Sequence, residues 1–287
     1  VGTTALTVLA FLGAGYTPTE GKYSDEIARG LEYILARQLV IGDYLENDLV
    51  GGYNRPIALM ALAEAYNITK DERYVPAVEV GADFLSSIQN SLGGWRYRVR
   101  IETTDTSCCS WNAFALKTAE KSGIRVREIV FEGIRMVFDL YSSPVTEHRE
   151  EYIEPAKKGP DETKYGFSRD VGYGKEHYKY WTGYQNNSYP DSKYATVALG
   201  LMTRIFLGNR RTHPFCIGAA NAILEDFMEE IPAREDWSRY RSRREYPTYA
   251  WYYGTLAMHQ MGGRYFRLWN ERIKKIAPGT QIKEGPD

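Results

Sequence analysis

The chain lacks several features that would assign it to a familiar class of protein. Its net charge is −1, so no basic excess predicts a nucleic-acid partner. It has three cysteines, two of them adjacent at Cys108 and Cys109, which is too few for a disulfide framework. No apolar run is long enough to span a bilayer, and no basic-then-apolar signal sequence follows Val1. The sequence predicts a soluble domain and leaves its compartment undetermined.

Histidine is also scarce, which argues against a zinc site. The chain has 4 histidines, and no two of them are spaced three or four residues apart. It contains no P-loop, no GxGxxG motif and no GxSxG motif. We therefore expect no metal ion and no cofactor.

Two kinds of helical segment alternate along the chain. The first kind is apolar on nearly every face and predicts a buried helix, whereas the second carries one apolar stripe and predicts a half-exposed helix. The alternation predicts five helical hairpins, with inner helices facing an axis and outer helices facing water. The predicted inner helices are 4–13, 56–66, 107–120, 192–207 and 248–261. The predicted outer helices are 24–35, 74–89, 127–140, 214–229 and 265–276.

The segment from Ser142 to Pro190 interrupts this alternation. It is rich in Tyr, Gly, Lys and Glu, and it is long for a loop within a compact domain, so one interpretation gives it a functional role. The other interpretation is a surface excursion with some short strand pairing. We therefore predict a single all-α domain over residues 1–287, with a long insertion at 142–190.

A glycine turn recurs at the ends of two predicted outer helices. One copy, spaced G-x3-L-x3-Q-x3-G-x-W, comprises Gly81, Leu85, Gln89, Gly93 and Trp95. The other copy, with Tyr in place of Trp, comprises Gly30, Ile34, Gln38, Gly42 and Tyr44. We expect the glutamine to bond open backbone groups at a helix end, the glycine to permit the reversal and the aromatic ring to pack beneath it. Such recurrence is typical of repeat architectures.

These turns resemble the QW repeat of the squalene and oxidosqualene cyclases. The signature GGWRY…DTS…W, at 93–97, 105–107 and Trp111, is similar to that of bacterial squalene-cyclase-like, prenyltransferase-repeat proteins of unassigned activity. The resemblance covers most of the chain. It implies an α/α toroid of the terpenoid cyclase and protein prenyltransferase superfamily, with about five to six hairpins. Because no further glycine–Trp turn occurs at 283–287, we expect a domain of a longer protein or a barrel closed by its own ends.

The resemblance also supplies a candidate catalytic residue. Class II cyclases protonate an isoprenoid through the middle Asp of a D-x-D-D-T-A motif. In the comparable run at 102–107, Asp105 matches the last Asp, and Thr104 replaces the middle one. This replacement speaks against cyclase activity and leaves open whether the chain is an enzyme. The alternative is that Asp105 caps the helix that follows it.

Aromatic side chains are the candidate ligand-binding residues. Tyr249, Tyr252 and Tyr253 share one helix face at helical spacing, and they are expected to line a cavity for an apolar or carbohydrate ligand. Trp95 and Trp111 are assigned to the same role. The alternative for the tyrosines is plain packing between inner and outer helices. A basic run at 239–244 is expected either to bind an anionic group such as a diphosphate or to form a solvated loop.

Three functions remain open at this point. The first is a toroid that binds an apolar or isoprenoid-like small molecule, with Asp105 facing an open aromatic pocket. The second is a non-catalytic scaffold for other domains of a larger protein, with a filled axis and Asp105 bonded to backbone amides. The third is a carbohydrate lyase or hydrolase, which would need paired carboxylates in a cleft. Its candidate acid/base residues are Asp105, Glu102, His148, His177 and Tyr173.

Overall fold

The fold of the described residues is mostly helical. The computed structural model describes residues 1–44, 51–99, 101–140, 142–145, 167–173, 176–182, 191–230 and 248–280. The chain divides into two compact units, Val1–Val137 and Phe138–Asp287. The described part contains ten α-helices, which confirm the all-α class, and its three strands are confined to the predicted insertion. No helix among these residues is both long and apolar enough to cross a bilayer.

The first unit is built from helices that follow the predicted alternation. They are α1 (Gly2–Gly13), α2 (Ser24–Arg37), α3 (Gly51–Thr69), α4 (Val75–Ser87), α5 (Thr106–Lys121) and α6 (Glu128–Leu140), the last of which crosses the boundary between units. A 3₁₀ turn at Glu72–Tyr74 links α3 to α4. Each predicted helix of this unit is present.

Helices α3 and α5 form the centre of the first unit. Small residues on several faces of these helices, among them Ala58, Ala61, Ala113 and Ala115, are fully buried. Helix α3 packs against α1, α4 and α5, so it has few faces left for solvent. In contrast, α2 buries only the stripe Ile27, Leu31 and Ile34. The difference between fully buried and half-exposed helices that the sequence predicted is therefore present in the packed unit.

The start of α3 differs from the prediction. We placed it at Pro56, where the apolar run begins, but the helix begins at Gly51 and continues through the proline. Glycine is a poor helix former, so Gly51 and Gly52 concealed the first turn of α3 from a prediction based on helix propensity.

The second unit contains two further hairpins. They are formed by α7 (Asp191–Phe206), α8 (Pro214–Glu230), α9 (Thr248–Met261) and α10 (Gly263–Thr280). Helix α7 packs against α8 and α9, and α9 packs against α10. Trp269 of α10 is fully buried, and its Nε1 donates to Thr255 Oγ1 at 2.9 Å. A Cβ on Gly254 would lie 2.5 Å from the Trp269 ring, so glycine lets the two helices approach.

The predicted insertion contains a three-stranded antiparallel sheet in its described part. The strands β1 (Ser142–Val145), β2 (Phe167–Tyr173) and β3 (Glu176–Thr182) are arranged in the order β1-β3-β2. In β2 and β3, Gly172 pairs with His177, and in β1 and β3, Ser142 pairs with Tyr180. The interpretation of short strand pairing is confirmed for these residues.

Candidate functional site

Each glutamine of the two glycine turns bonds to the next outer helix. Gln38 Nε2 donates to Ala77 O near the start of α4 at 2.9 Å. Gln89 Nε2 donates to Val130 O near the start of α6 at 2.9 Å, and also to Gly93 O at 2.8 Å. As expected, Gln89 satisfies an open backbone carbonyl beyond the end of α4, that of Gly93. Both glutamines also tie the helix that they follow to the start of a later helix, α4 or α6.

The turn glycines are required by backbone conformation and by space. Gly42 and Gly93 both have φ of 86°, which L residues rarely adopt. A Cβ on Gly93 would lie 2.6 Å from Gly133 Cα in α6, and one on Gly42 would overlap the carbonyl of Val80 in α4. The same close approach therefore occurs in both copies of the turn.

The two candidate tryptophans of the first unit lie in its core. Trp95 is 3% exposed, and its Nε1 donates to Leu85 O at 2.9 Å, so the ring packs beneath the turn as expected. Trp111, in the centre of α5, is buried and meets the ring of Phe114 edge-on at 6.1 Å. Their packing is structural, and a ligand-binding role for either stays a prediction.

Asp105 is the N-cap of α5. Its carboxylate accepts the backbone N–H of Cys108 at 3.0 Å and the hydroxyl of Ser107, and its own N–H donates to Trp95 O at 2.9 Å. The residue is 4% exposed. The capping alternative for Asp105 is therefore confirmed. The glycine turn also helps to hold the cap, because the Trp95 carbonyl comes from that turn.

A hydroxyl cluster surrounds this cap. Ser107 Oγ lies 2.6 Å from Tyr53 OH, and the Tyr53 ring packs against that of Tyr97 at a centroid distance of 5.6 Å. Burial, with a smaller contribution from the Asp105 charge, raises the pKa of Tyr97 well above its ordinary value. Burial likewise raises the pKa of the Cys108 thiol. Both groups therefore stay protonated at physiological pH, which suits hydrogen-bond donors and does not suit nucleophiles.

The burial of the three cysteine thiols can be tested chemically. Cys108, Cys109 and Cys216 are free and buried, and burial raises the pKa of Cys109 to about 12 and that of Cys216 to about 11. We expect a disulfide-exchange reagent at about pH 8 to label all three thiols only after denaturation, since the thiolate is the reactive form. A Ser87→Cys variant is the control, because Ser87 is exposed and its thiol should react at once. Fast labelling of the unmodified folded chain would contradict the described burial.

The three candidate tyrosines of α9 lie together in the second unit. Tyr253 is buried, whereas Tyr249 and Tyr252 are 43% and 50% exposed. Both exposed rings meet the Tyr253 ring edge-on, at centroid distances of 4.7 and 5.0 Å. The predicted shared face is therefore present, and it is half-exposed, with one ring anchoring the other two.

A small cleft that sequence reasoning missed lies at the start of α3. It has room for about one water molecule, and its lining mixes polar residues such as Arg96, Arg98 and Asn112 with apolar ones such as Leu85 and Ile101. A Cβ on Gly52 would lie 2.6 Å from the Arg96 carbonyl, which explains this glycine. The only feature of the sequence that marks this cleft is the pair Gly51 and Gly52, just before the predicted start of α3 at Pro56. We assigned this pair to no helix or strand.

Two members of the acid/base set proposed for carbohydrate chemistry, Glu102 and Asp105, have different environments. Glu102 is exposed and accepts bonds from Ser91 N and Oγ at 3.2 and 2.5 Å, while Asp105 is the buried cap. His177 and Tyr173 are placed by backbone pairing in the β2–β3 hairpin. The remaining predictions on His148, the basic run 239–244 and the chain end 283–287 lie outside the described residues.

Metal-binding side chains do not cluster in the described ranges, where no group of three or more His, Cys, Asp or Glu residues could hold a metal ion. The resemblance carried by the glycine turns and by the Gly93–Trp111 signature stays a prediction. No protein-family model, no curated protein and no solved structure significantly matches this chain.

Proposed function

We propose that the chain is a non-catalytic ligand-binding domain whose five hairpins are arranged as an α/α toroid. The glutamine turns support this arrangement, because they join α2 to α4 and α4 to α6 through the same pair of contacts. When the same rotation and translation relates each helix to the next, the array has a constant curvature, as in helical repeat proteins.

The single observation that carries the non-catalytic part is the state of Asp105. A proton donor must present its acidic group to the substrate, whereas this carboxylate accepts the Cys108 N–H and the Ser107 hydroxyl. The residue is also buried within the hydroxyl cluster. Together with Thr104 at the position of the family's proton donor, this environment favours a structural role.

The α9 tyrosines are the surface on which we place the ligand. An anchored pair of half-exposed rings offers apolar faces and hydroxyl groups at a low cost in side-chain entropy. Apolar or isoprenoid-like molecules fit such a surface through ring contacts. This ligand role does not use the Asp105 carboxylate, which caps α5.

Thermal-shift titrations with farnesyl diphosphate and with a malto-oligosaccharide test this function. We expect the prenyl compound to raise the melting temperature of the unmodified chain and of Asp105→Asn by the same increment, because the Asp105 carboxylate is engaged in capping α5. The increment should disappear in the double variant Tyr249→Ser/Tyr252→Ser and persist in Tyr33→Ser, whose ring is 40% exposed on α2. Any cyclised product that depends on Asp105 would overturn the non-catalytic assignment.

Two observations favour a scaffold as the second candidate. The first is that Asp105 accepts a backbone N–H, as we expected for a scaffold. The second is a set of exposed apolar side chains. The tip of the first glycine turn exposes Val40 by 96% and Ile41 by 63%, and Leu92 is 43% exposed at the matching tip. Exposed apolar groups on neighbouring turns suit contacts with another protein domain. If both ligand classes leave the melting temperature unchanged, and Val40→Ser/Ile41→Ser weakens binding to a neighbouring domain of a longer protein, the scaffold is favoured.

A further inference from the structure

The second unit has a basic end, formed by the turn from α7 to α8 and the turn from α9 to α10. Arg210 and Arg211 lie in the first turn, Arg264 and Arg267 lie at the start of α10, and all four residues are exposed. The two turns are adjacent, because a Cβ added to Gly262 would lie 3.1 Å from Arg211 Nη1. Helices α8 and α10 both begin at these turns, so their N-terminal ends add partial positive charge to that of the arginines.

No acidic side chain in the described ranges compensates the charge of this basic end. The stretches 207–216 and 259–268, which form the two turns and their flanks, contain no Asp and no Glu. None of the ion pairs between described residues involves any of the four arginines. In contrast, Arg73 in a turn of the first unit is paired with Asp71 at 2.6 Å. The basic end is therefore a local concentration of positive charge in a chain whose net charge is −1.

An exposed apolar side chain accompanies the arginines and helps to select the partner. Leu268 lies one helical turn after Arg264 and is 38% exposed. The interface of a lipid bilayer accepts such a side chain, while the long stems of the arginines let their charged groups reach the lipid phosphates. A nucleic acid backbone offers Leu268 no apolar region. Single strands also bind through exposed aromatic rings, whereas Tyr265 and Phe266 are half-buried.

We propose that this basic end binds the anionic headgroups of a lipid membrane. Arginine suits this partner because its guanidinium group donates two parallel hydrogen bonds to phosphate oxygens. Each basic residue beside an anionic bilayer raises the affinity by about fivefold, so four of them correspond to half-binding at about 1 mM accessible anionic lipid. This inference goes beyond the ligand function proposed above and uses none of its tyrosines.

Co-sedimentation of the full chain with lipid vesicles tests the site. We expect binding to vesicles of phosphatidylcholine and phosphatidylglycerol in equal parts, and no binding to phosphatidylcholine alone. The binding should be lost at about 1 M salt, where the Debye length is about 3 Å. Arg264→Gln/Arg267→Gln should weaken it by about 25-fold, because two of the four arginines are removed. Both positions are exposed, so this variant should keep its fold.

Lys274→Gln/Lys275→Gln is the matched control. It removes the same charge from exposed positions of α10 that lie about 10 Å or more further along the helix, beyond the Debye length of about 8 Å at 0.15 M salt. We expect this control to bind within about twofold of the unmodified chain. A chain that does not bind anionic vesicles, that binds both kinds of vesicle equally, or that loses equal affinity in the two variants would overturn the site. Tighter binding to a DNA oligonucleotide than to the anionic vesicles would overturn the choice of a membrane.

Discussion

Replacing Gly93 by alanine is expected to destabilise the first unit by about 3 kcal/mol or more. Alanine at a φ of 86° costs about 1–2 kcal/mol in backbone strain. Its Cβ would also lie 2.6 Å from Gly133 Cα, and overpacking against backbone adds about 1–3 kcal/mol. The turn that follows α4 and helix α6 would have to move apart, which would also lengthen the hydrogen bond from Gln89 to the Val130 carbonyl. Denaturant unfolding followed by far-UV circular dichroism measures the loss.

Gly123→Ala is the matched control for this prediction. Gly123 has a φ of 90°, close to that of Gly93, but nothing lies within 4 Å of its added Cβ. The control therefore carries the backbone strain of about 1–2 kcal/mol without the clash. Equal losses in the two variants would show that α6 does not press against the turn, and the step proposed for the toroid would lose its support.

Asp105→Ala is expected to cost about 3 kcal/mol. Loss of the N-cap, which is the bond from Cys108 N–H, costs about 1–2 kcal/mol. Loss of the charged acceptor of the buried Ser107 hydroxyl costs about 1–3 kcal/mol more. Asp105→Asn should fall between alanine and the unmodified chain, because the amide oxygen still accepts one bond. The same unfolding measurement applies.

Asp71→Ala is the control for the cap. Asp71 caps the 3₁₀ turn through Arg73 N at 3.0 Å, but its neighbours are exposed to water, which can replace the lost oxygen. We expect only a small fraction of the Asp105 loss. If Asp105→Ala proved as mild as Asp71→Ala, the carboxylate would not be needed for the fold, and a role toward a ligand would regain weight.

The hairpin pattern could be predicted because its signals are local. An apolar stripe such as Ile27–Ile34 depends on neighbours three and four residues away, and a glycine such as Gly93 marks a turn by its own conformational freedom. The one clear error in helix position, at the start of α3, arose where residues far away in the sequence determine which residue fits. Gly52 is required by the 96–97 backbone, which a propensity argument does not see.

The candidate site was predicted in part. The spacing brought Tyr249, Tyr252 and Tyr253 to one face, and a helix start after Asp105 made capping a natural alternative. Neither pattern showed how much of each ring is exposed, because exposure depends on elements elsewhere in the chain. The cleft beside α3 was not predicted, since its walls come from three segments that are far apart in sequence.

The sequence by itself predicted the ten helices of the described residues, their alternation of buried and half-exposed kinds and the two glycine turns, because periodicity and turn chemistry act over a few residues. Only the tertiary structure decided that Gln89 bonds to Val130, that Asp105 is enclosed by hydroxyl groups and that Arg55 is seated against Gly51. Hydrogen-bond partners, burial and charge compensation depend on which side chains meet in space. For Gln89 that partner is 41 residues away, beyond the reach of any local pattern.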